Sequence, residues 1–331
     1  MIWLRFVATA LVIVLAGVRL ARYGDVLGEK TGLGRSWFGV VVLAATTSLP
    51  ELFTGFGATA LAALPDIALG DVLGSCMFNL LILSVMDAVQ PEPISARAHQ
   101  GHALSIGFGL VLIGVVGIGL VAGHRLPAIG WIGLYTPVLM AVYFVAMRVI
   151  FAHERHRRAQ ETQEVAQELQ YGATTLRSAL IHYGFAAVAV VVAALWLPRL
   201  GAELARQTGL GEAFVGSLFV AITTSLPEIV VSLAAVRIGA LDLGIGNVLG
   251  SNLFNLLILG LDDVFYRHGP LMADAGSSHS ISVVAVVIMN GLFLIGLTYK
   301  VMTKRYVVAW DTGAIAGVYV AAVALSYVLT R

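Results

Sequence analysis

The hexapeptide TTSLPE stands at residues 46–51 and again at 223–228, each copy deep inside an apolar stretch. An acidic side chain at membrane depth costs roughly 2.5–3.5 kcal/mol even on a lenient insertion scale, so a chain that places one there twice needs a use for it. The surroundings are membrane-like: 59% of the 331 residues are hydrophobic and 12% charged, far from the soluble average. The chain reads as an all-α polytopic membrane protein.

Ten apolar runs of about 20 residues, the length a helix needs to cross the hydrocarbon, fall near 1–21, 36–62, 67–86, 101–122, 127–150, 177–197, 213–237, 241–262, 280–299 and 306–329. The first carries Arg5 and Arg19 near its ends, lacks an evident small-residue cleavage site and has a counterpart at 177–197, so it reads as a structural helix rather than a leader. The single cysteine, Cys76, excludes an intrachain disulfide. With a net charge of +1 and no basic cluster outside the loops, nucleic acid is not an expected partner; the lipid bilayer and small inorganic cations are.

Repeats organise the rest. At an offset of 177, Gly24 falls on Gly201, Leu27 on Leu204, Thr31 on Thr208, Gly39 on Gly216 and Glu51 on Glu228. At an offset of 176, Asp66 falls on Asp242, Gly70 on Gly246, Ser75 on Ser251, Asn79 on Asn255 and Asp87 on Asp263. The expected division is a first repeat at 1–151, a cytoplasmic linker with a short helix at 152–176 and a second repeat at 177–331. Five helices per repeat is an odd number, so the second enters the membrane inverted, as in many secondary transporters. With the N-terminus outside, fourteen Lys and Arg lie on the inner side and six on the outer, which predicts a cell-membrane protein with both termini extracytoplasmic.

Glu51 and Glu228 each lie about fifteen residues into their runs, near mid-membrane at 1.5 Å per residue, and inversion brings them together. Pro50 and Pro227 each remove a backbone donor and free a carbonyl about one turn upstream. These carbonyls, two carboxylates and the hydroxyls of Thr47, Ser48, Thr224 and Ser225 make an all-oxygen set suited to hard cations such as Ca2+ and Na+; Zn2+ or Cu+ would call for His or Cys. Ser75 and Asn79 share a helix face, as do Ser251 and Asn255, and add further oxygen. Asp71, whose mate is Asn247, either draws cations to the mouth or caps a helix at the interface. Asp87 and Asp263 fall at helix ends, where a solvated structural charge is expected.

The blocks at 45–79 and 222–255 closely resemble the α-repeats of the sodium/calcium exchanger family, within the cation/Ca2+ antiporter superfamily. The resemblance implies an antiporter, not an enzyme, that exchanges Na+ for Ca2+ by alternating access, its first and sixth helices sliding across a more rigid bundle. It makes Glu51 and Glu228 the central ligands of both ions. Thr47, Ser48, Thr224 and Ser225 would supply side-chain or backbone oxygens, Ala44 and Ala221 backbone carbonyls to Na+, and Ser75, Asn79, Ser251 and Asn255 the flanking sites. No cofactor is implied beyond the transported ions. The chain departs from the family pattern at Thr46 and Thr223, often Gly; at Asp71 and Cys76, usually Asn; and at Asn255, Asp in some members.

Three other functions compete. A proton-coupled exchanger, Ca2+/H+ or Na+/H+, typically carries Gly-Asn-Ala-Pro-Glu at the acidic motif, and this chain does not. A cation channel also uses carboxylate rings, but inverted repeats with Pro-broken helices favour a transporter. An intramembrane metalloprotease would need a His-Glu-x-x-His pair, absent from the apolar runs.

Overall fold

In hydrocarbon an apolar run must satisfy its backbone within its own helix. The computed structural model describes residues 2–31, 35–164, 174–208, 224–304 and 306–329. Its main helices are α1 (Ile2–Lys30), α2 (Gly39–Thr47), α3 (Leu49–Leu61), α4 (Pro65–Ala88), α5 (His102–Ala122), α6 (Tyr135–Glu164), α7 (Leu176–Thr208), α8 (Leu226–Arg237), α9 (Leu241–Phe265), α10 (Ser280–Tyr299) and α11 (Trp310–Leu329). Among the described residues, eight helices are long and apolar enough to cross a membrane, nine if α2 and α3 are one bent span. The start of the expected seventh span, with Ala221 and Thr223, lies outside the described residues.

Two elements differ from the sequence reading. The run expected as a helix over 127–150 begins instead with a two-stranded hairpin, β1 (Ala128–Ile129) against β2 (Ile132–Gly133), turned at Gly130 with φ +66°. Pro127, Gly130 and Gly133 break a segment whose apolarity alone suggested a span. At its other end α6 runs on to Glu164, past the linker boundary at 152. Residues 151–164 hold no Gly or Pro and many good helix formers, so nothing local stops the helix.

The α2–α3 unit bends by 49° at Ser48 (φ −89°, ψ 9°), because Pro50 can neither donate to nor fit beside the carbonyl four residues back. Ser225 has nearly the same dihedrals (φ −84°, ψ 8°) ahead of Pro227 and α8. Behind the breaks stand α4 and α9, which run antiparallel: Cys76 meets Asn252 at mid-helix and Met86 packs on Gly244. Helix α9 is buried nearly throughout and lies so close to α2 that a Cβ on Gly250 would collide with the Val40 backbone. One large apolar core joins α4, α5, α6, α9 and α10. A separate cluster unites α1 with α7 and α8, through Leu20, Ala21, Ala179, Tyr183, Val190 and Val231. The outer faces of α1 and α7 expose Trp3, Leu4, Leu11, Phe185 and Val188, as lipid contact requires.

Asp87 and Asp263 are fully buried, not solvated as their positions near helix ends suggested. The Asp263 carboxylate accepts from Gly133 N (2.9 Å), Leu271 N (2.7 Å), Tyr135 Oη (2.7 Å) and Thr136 Oγ1 (2.6 Å). Asp87 accepts from Ala309 N (2.7 Å), Ile94 N (2.9 Å) and Thr312 Oγ1 (2.8 Å), and pairs with Lys304 at 3.1 Å. The donors 94 and 271, 136 and 312, 133 and 309 are themselves 176 or 177 residues apart. Each aspartate ties a loop and the next helix start to the end of α4 or α9, a role that demands burial. Asp263→Ala is therefore expected to strand several donors and lower stability by about 3 kcal/mol or more, whereas Asp66→Ala, at an exposed pair with His279, should change it by less than about 1 kcal/mol. Thermal unfolding of the detergent-purified variants separates the two.

Candidate cation site

The breaks place both carboxylates. Glu51 lies in the first turn of α3 and Glu228 in the first turn of α8, each just past Pro, where unpaired amides and the helix dipole favour negative charge. Both are completely buried. Each is bonded by the serine of the other motif: Ser48 Oγ donates to Glu228 Oε1 at 3.1 Å and Ser225 Oγ to Glu51 Oε1 at 3.3 Å. Ser75 Oγ also faces Glu51 Oε1 at 3.5 Å and takes a 3.2 Å bond from Ser225 Oγ. The two carboxylates repel one another, and Glu51 senses the charge of Asp71 as well.

The other expected ligands gather at the same depth. Thr47, Thr224, Ser251, Asn79 and Asn255 are all fully buried. Thr47 Oγ1 touches Ser251 Oγ at 3.4 Å and Asn247 Oδ1 at 3.3 Å; Thr224 Oγ1 reaches Asp71 Oδ1 at 3.5 Å. The Ala44 carbonyl accepts from Ser48 N at 3.0 Å and Thr47 Oγ1 at 3.2 Å, so it is already engaged by its own helix. Thr46 Oγ1 contacts Tyr183 Oη of α7 at 3.2 Å, which puts the α1–α7 body in contact with the broken segment. Asp71 is buried, which excludes an interfacial cap.

Four oxygens at this centre have no hydrogen-bond partner among the described residues: Glu51 Oε2, Glu228 Oε2, Asn79 Oδ1 and Asn255 Oδ1. Buried polar atoms are nearly always paired, and each orphan costs about 1–3 kcal/mol, more for a charge. Four residues singled out from the sequence each contribute one such oxygen, and the Asn255 amide nitrogen is unpaired as well. Among the described residues no three His, Cys, Asp or Glu converge, so the donors are mixed carboxylate, hydroxyl and amide oxygens, suited to Ca2+ or Na+ rather than Zn2+.

Sequence reasoning missed two residues here. Asn252, the mate of Cys76, donates to the Cys76 carbonyl at 3.2 Å and accepts from Asn79 Nδ2 at 3.1 Å, locking α4 to α9 beside the site. The signal was available, since residues 250–255 align with 74–79 throughout. Asp262 is buried against Gly55 of α3, with no sequence sign because its mate is Met86.

Comparison with known proteins places this geometry among relatives. The family profile "Sodium/calcium exchanger protein" matches residues 1–152 and 178–328. The chain is 30% identical to the inner membrane protein YrbG of Escherichia coli over 76% of each chain, and 26% identical to the putative antiporter CaxA of Alkalimonas amylolytica over 88% of this chain and 89% of that one. The solved structure of the sodium-calcium exchanger NCX_Mj, soaked with 10 mM Na+ and zero Ca2+, superposes with a TM-score of 0.73 over 98% of this chain and 99% of that one, at 20% identity, which establishes likeness of fold.

If the orphan oxygens await a cation, that cation stabilises the folded protein by about 2.7 kcal/mol at one hundred times its Kd. The melting temperature of purified protein should rise by several degrees with saturating Ca2+. Glu228→Gln should remove the rise, and Asp66→Asn should preserve it.

Proposed function

Because the chain belongs to the sodium/calcium exchanger protein family, we propose that it is a secondary active antiporter exchanging Na+ for Ca2+ by alternating access at the site shared by Glu51 and Glu228. The observation that carries this is the reciprocal bonding of Ser48 to Glu228 and Ser225 to Glu51, which makes one centre from two distant motifs. In this reading ten helices form two inverted repeats, 1–151 and 177–331, joined by a cytoplasmic linker at 152–176, with both termini extracytoplasmic. The matched donors of Asp87 and Asp263 support it, since a pseudo-twofold relation accounts for both sets at once.

Exchange follows from charge. Two carboxylates balance one Ca2+, and Na+ ions satisfy the same oxygens, so the two kinds of ion exclude one another. Left bare, the buried pair faces mutual repulsion and full desolvation, which opposes the return of an ion-free carrier. Glu51 and Glu228 act as ligands common to both ions. Ser48, Ser225, Ser75, Ser251, Thr47 and Thr224 offer hydroxyl or backbone oxygens, Asn79 and Asn255 amide oxygens, and Ala44 and Ala221 carbonyls to Na+. Helices α1 and α7, whose buried apolar residues belong to a cluster apart from the main core, slide against α2, α8 and α9 to open one side or the other. A leucine- and valine-rich outer face moves through lipid without exposing polar groups.

Proteoliposomes loaded with Na+ and diluted into Na+-free buffer are expected to accumulate Ca2+. Glu51→Gln or Glu228→Gln should reduce uptake at least about 100-fold, since losing one buried charged ligand costs about 3 kcal/mol or more. Uptake that follows a pH gradient and ignores Na+ would transfer the assignment to proton-coupled exchange. Uptake without counter-ion stimulation would indicate a channel.

A further inference from the structure

Two turns into α7, a tyrosine hydroxyl faces the broken segment. Tyr183 is buried, and its ring lies edge-on to Phe38 with centroids 5.5 Å apart. Its hydroxyl stands 3.2 Å from Thr46 Oγ1 and 3.4 Å from the Val42 carbonyl oxygen of α2. Thr46 Oγ1 donates its own proton to that carbonyl at 2.8 Å, so Tyr183 is the donor in the contact with Thr46. The backbone here is wound loosely: residues 39–43 form a π-helix, with Ala44 N bonded to the Gly39 carbonyl five residues back, a feature often found at functional sites. Thr46 stands next to Thr47 and one residue short of the break at Ser48, whose hydroxyl holds Glu228. A hydroxyl on α7 is thus tied to the last turn of α2 before the centre. The tie is asymmetric: at the offset of 177 Tyr183 falls on Phe6 of α1, whose ring carries no hydroxyl.

We propose that the Tyr183–Thr46 bond is a latch that holds α7 against α2 on the cytoplasmic side of the centre and biases the carrier toward the state open to the opposite face. The inference rests on the exchange reading and on its orientation, in which α2 and α7 both start at the cytoplasmic face. The bond then lies between that face and the glutamates. A water path from the cytoplasm to the centre has to part these helices, and parting them breaks the bond. The corresponding opening on the other side involves Phe6, which has no such bond to break. Tyr183 and Thr46 are positioning residues: they set which face the centre meets, while the ligands stay those already described.

The half-saturating Ca2+ concentrations at the two faces test this, because each face's apparent affinity scales with the fraction of carriers open to it. Na+-loaded membrane vesicles containing the protein, everted for the cytoplasmic face and right-side-out for the other, give both values. Tyr183→Phe should lower the cytoplasmic-to-extracytoplasmic ratio about fivefold, the population shift that one net hydrogen bond supplies. Thr46→Val should do the same, Thr46→Ser should keep the wild-type ratio, and the double variant Tyr183→Phe, Thr46→Val should go no further than either single one. An unchanged ratio, even with a lower maximal rate, overturns the latch, as does a raised ratio or an additive effect in the double variant. If wild-type vesicles follow a pH gradient instead of Na+, the ion coupling proposed above fails, and the same ratio measured under that gradient still judges the latch. Wild-type flux without counter-ion stimulation overturns alternating access and the latch with it.

Discussion

Proline before glutamate is the constraint from which this structure follows. Pro50 interrupts the helix at Ser48, and Pro50 and Pro227 each open a helix with a carboxylate in its first turn, so each acidic group enters the protein interior at a helix N-terminus. A single such break would leave one buried charge with a local solution. Two of them, meeting so that each serine bonds the other motif's glutamate, create a centre whose second carboxylate oxygens have no hydrogen-bond partner among the described residues. The close approach of α2 to α9 at Val40 and Gly250 then presents the Asn and Ser side chains of α9 to the same point.

Rigidity and mobility divide along packing lines. Helices α4 and α9 are pinned at mid-length by the Asn252 bonds and at their ends by Asp87 and Asp263, each holding a loop through backbone amides. Two further cross-links follow the same offset: Asp66 with His279 and Asp242 with His102, both at 3.0 Å, the first exposed and the second with its histidine buried. Helices α1 and α7 pack in a second, smaller apolar cluster that also takes in Leu43 of α2, Val231, Ala234 and Ala235 of α8 and Leu243 of α9, and they meet the broken segment through Tyr183 and Thr46. A scaffold with cross-linked ends, beside two helices held to it by apolar contacts rather than by such cross-links, suits alternating access, because interfaces slide while packed cores do not.

Much of this was legible in the chain. Apolar length located most spans, and the repeated TTSLPE, with its serine and asparagine followers, named residues that the fold does bring together. The failures were those of context. Apolarity over 127–134 suggested helix, yet Gly130 and Gly133 turned it into a hairpin. Position near a helix end suggested that Asp87 and Asp263 were solvated, yet their loops fold back and bury them, which only tertiary structure reveals. Asp262 carries no repeat signal, because the residue it depends on, Gly55, matters for the side chain it lacks and lies more than two hundred positions away.

The most direct measurement is a structure determined with Ca2+ bound and located by its anomalous scattering. The expected result is an ion between Glu51 and Glu228, within about 2.3–2.6 Å of a carboxylate oxygen from each. An ion held by only one of the two, or carboxyl groups that diverge toward lipid when Ca2+ is present, would contradict the shared centre on which the whole account rests.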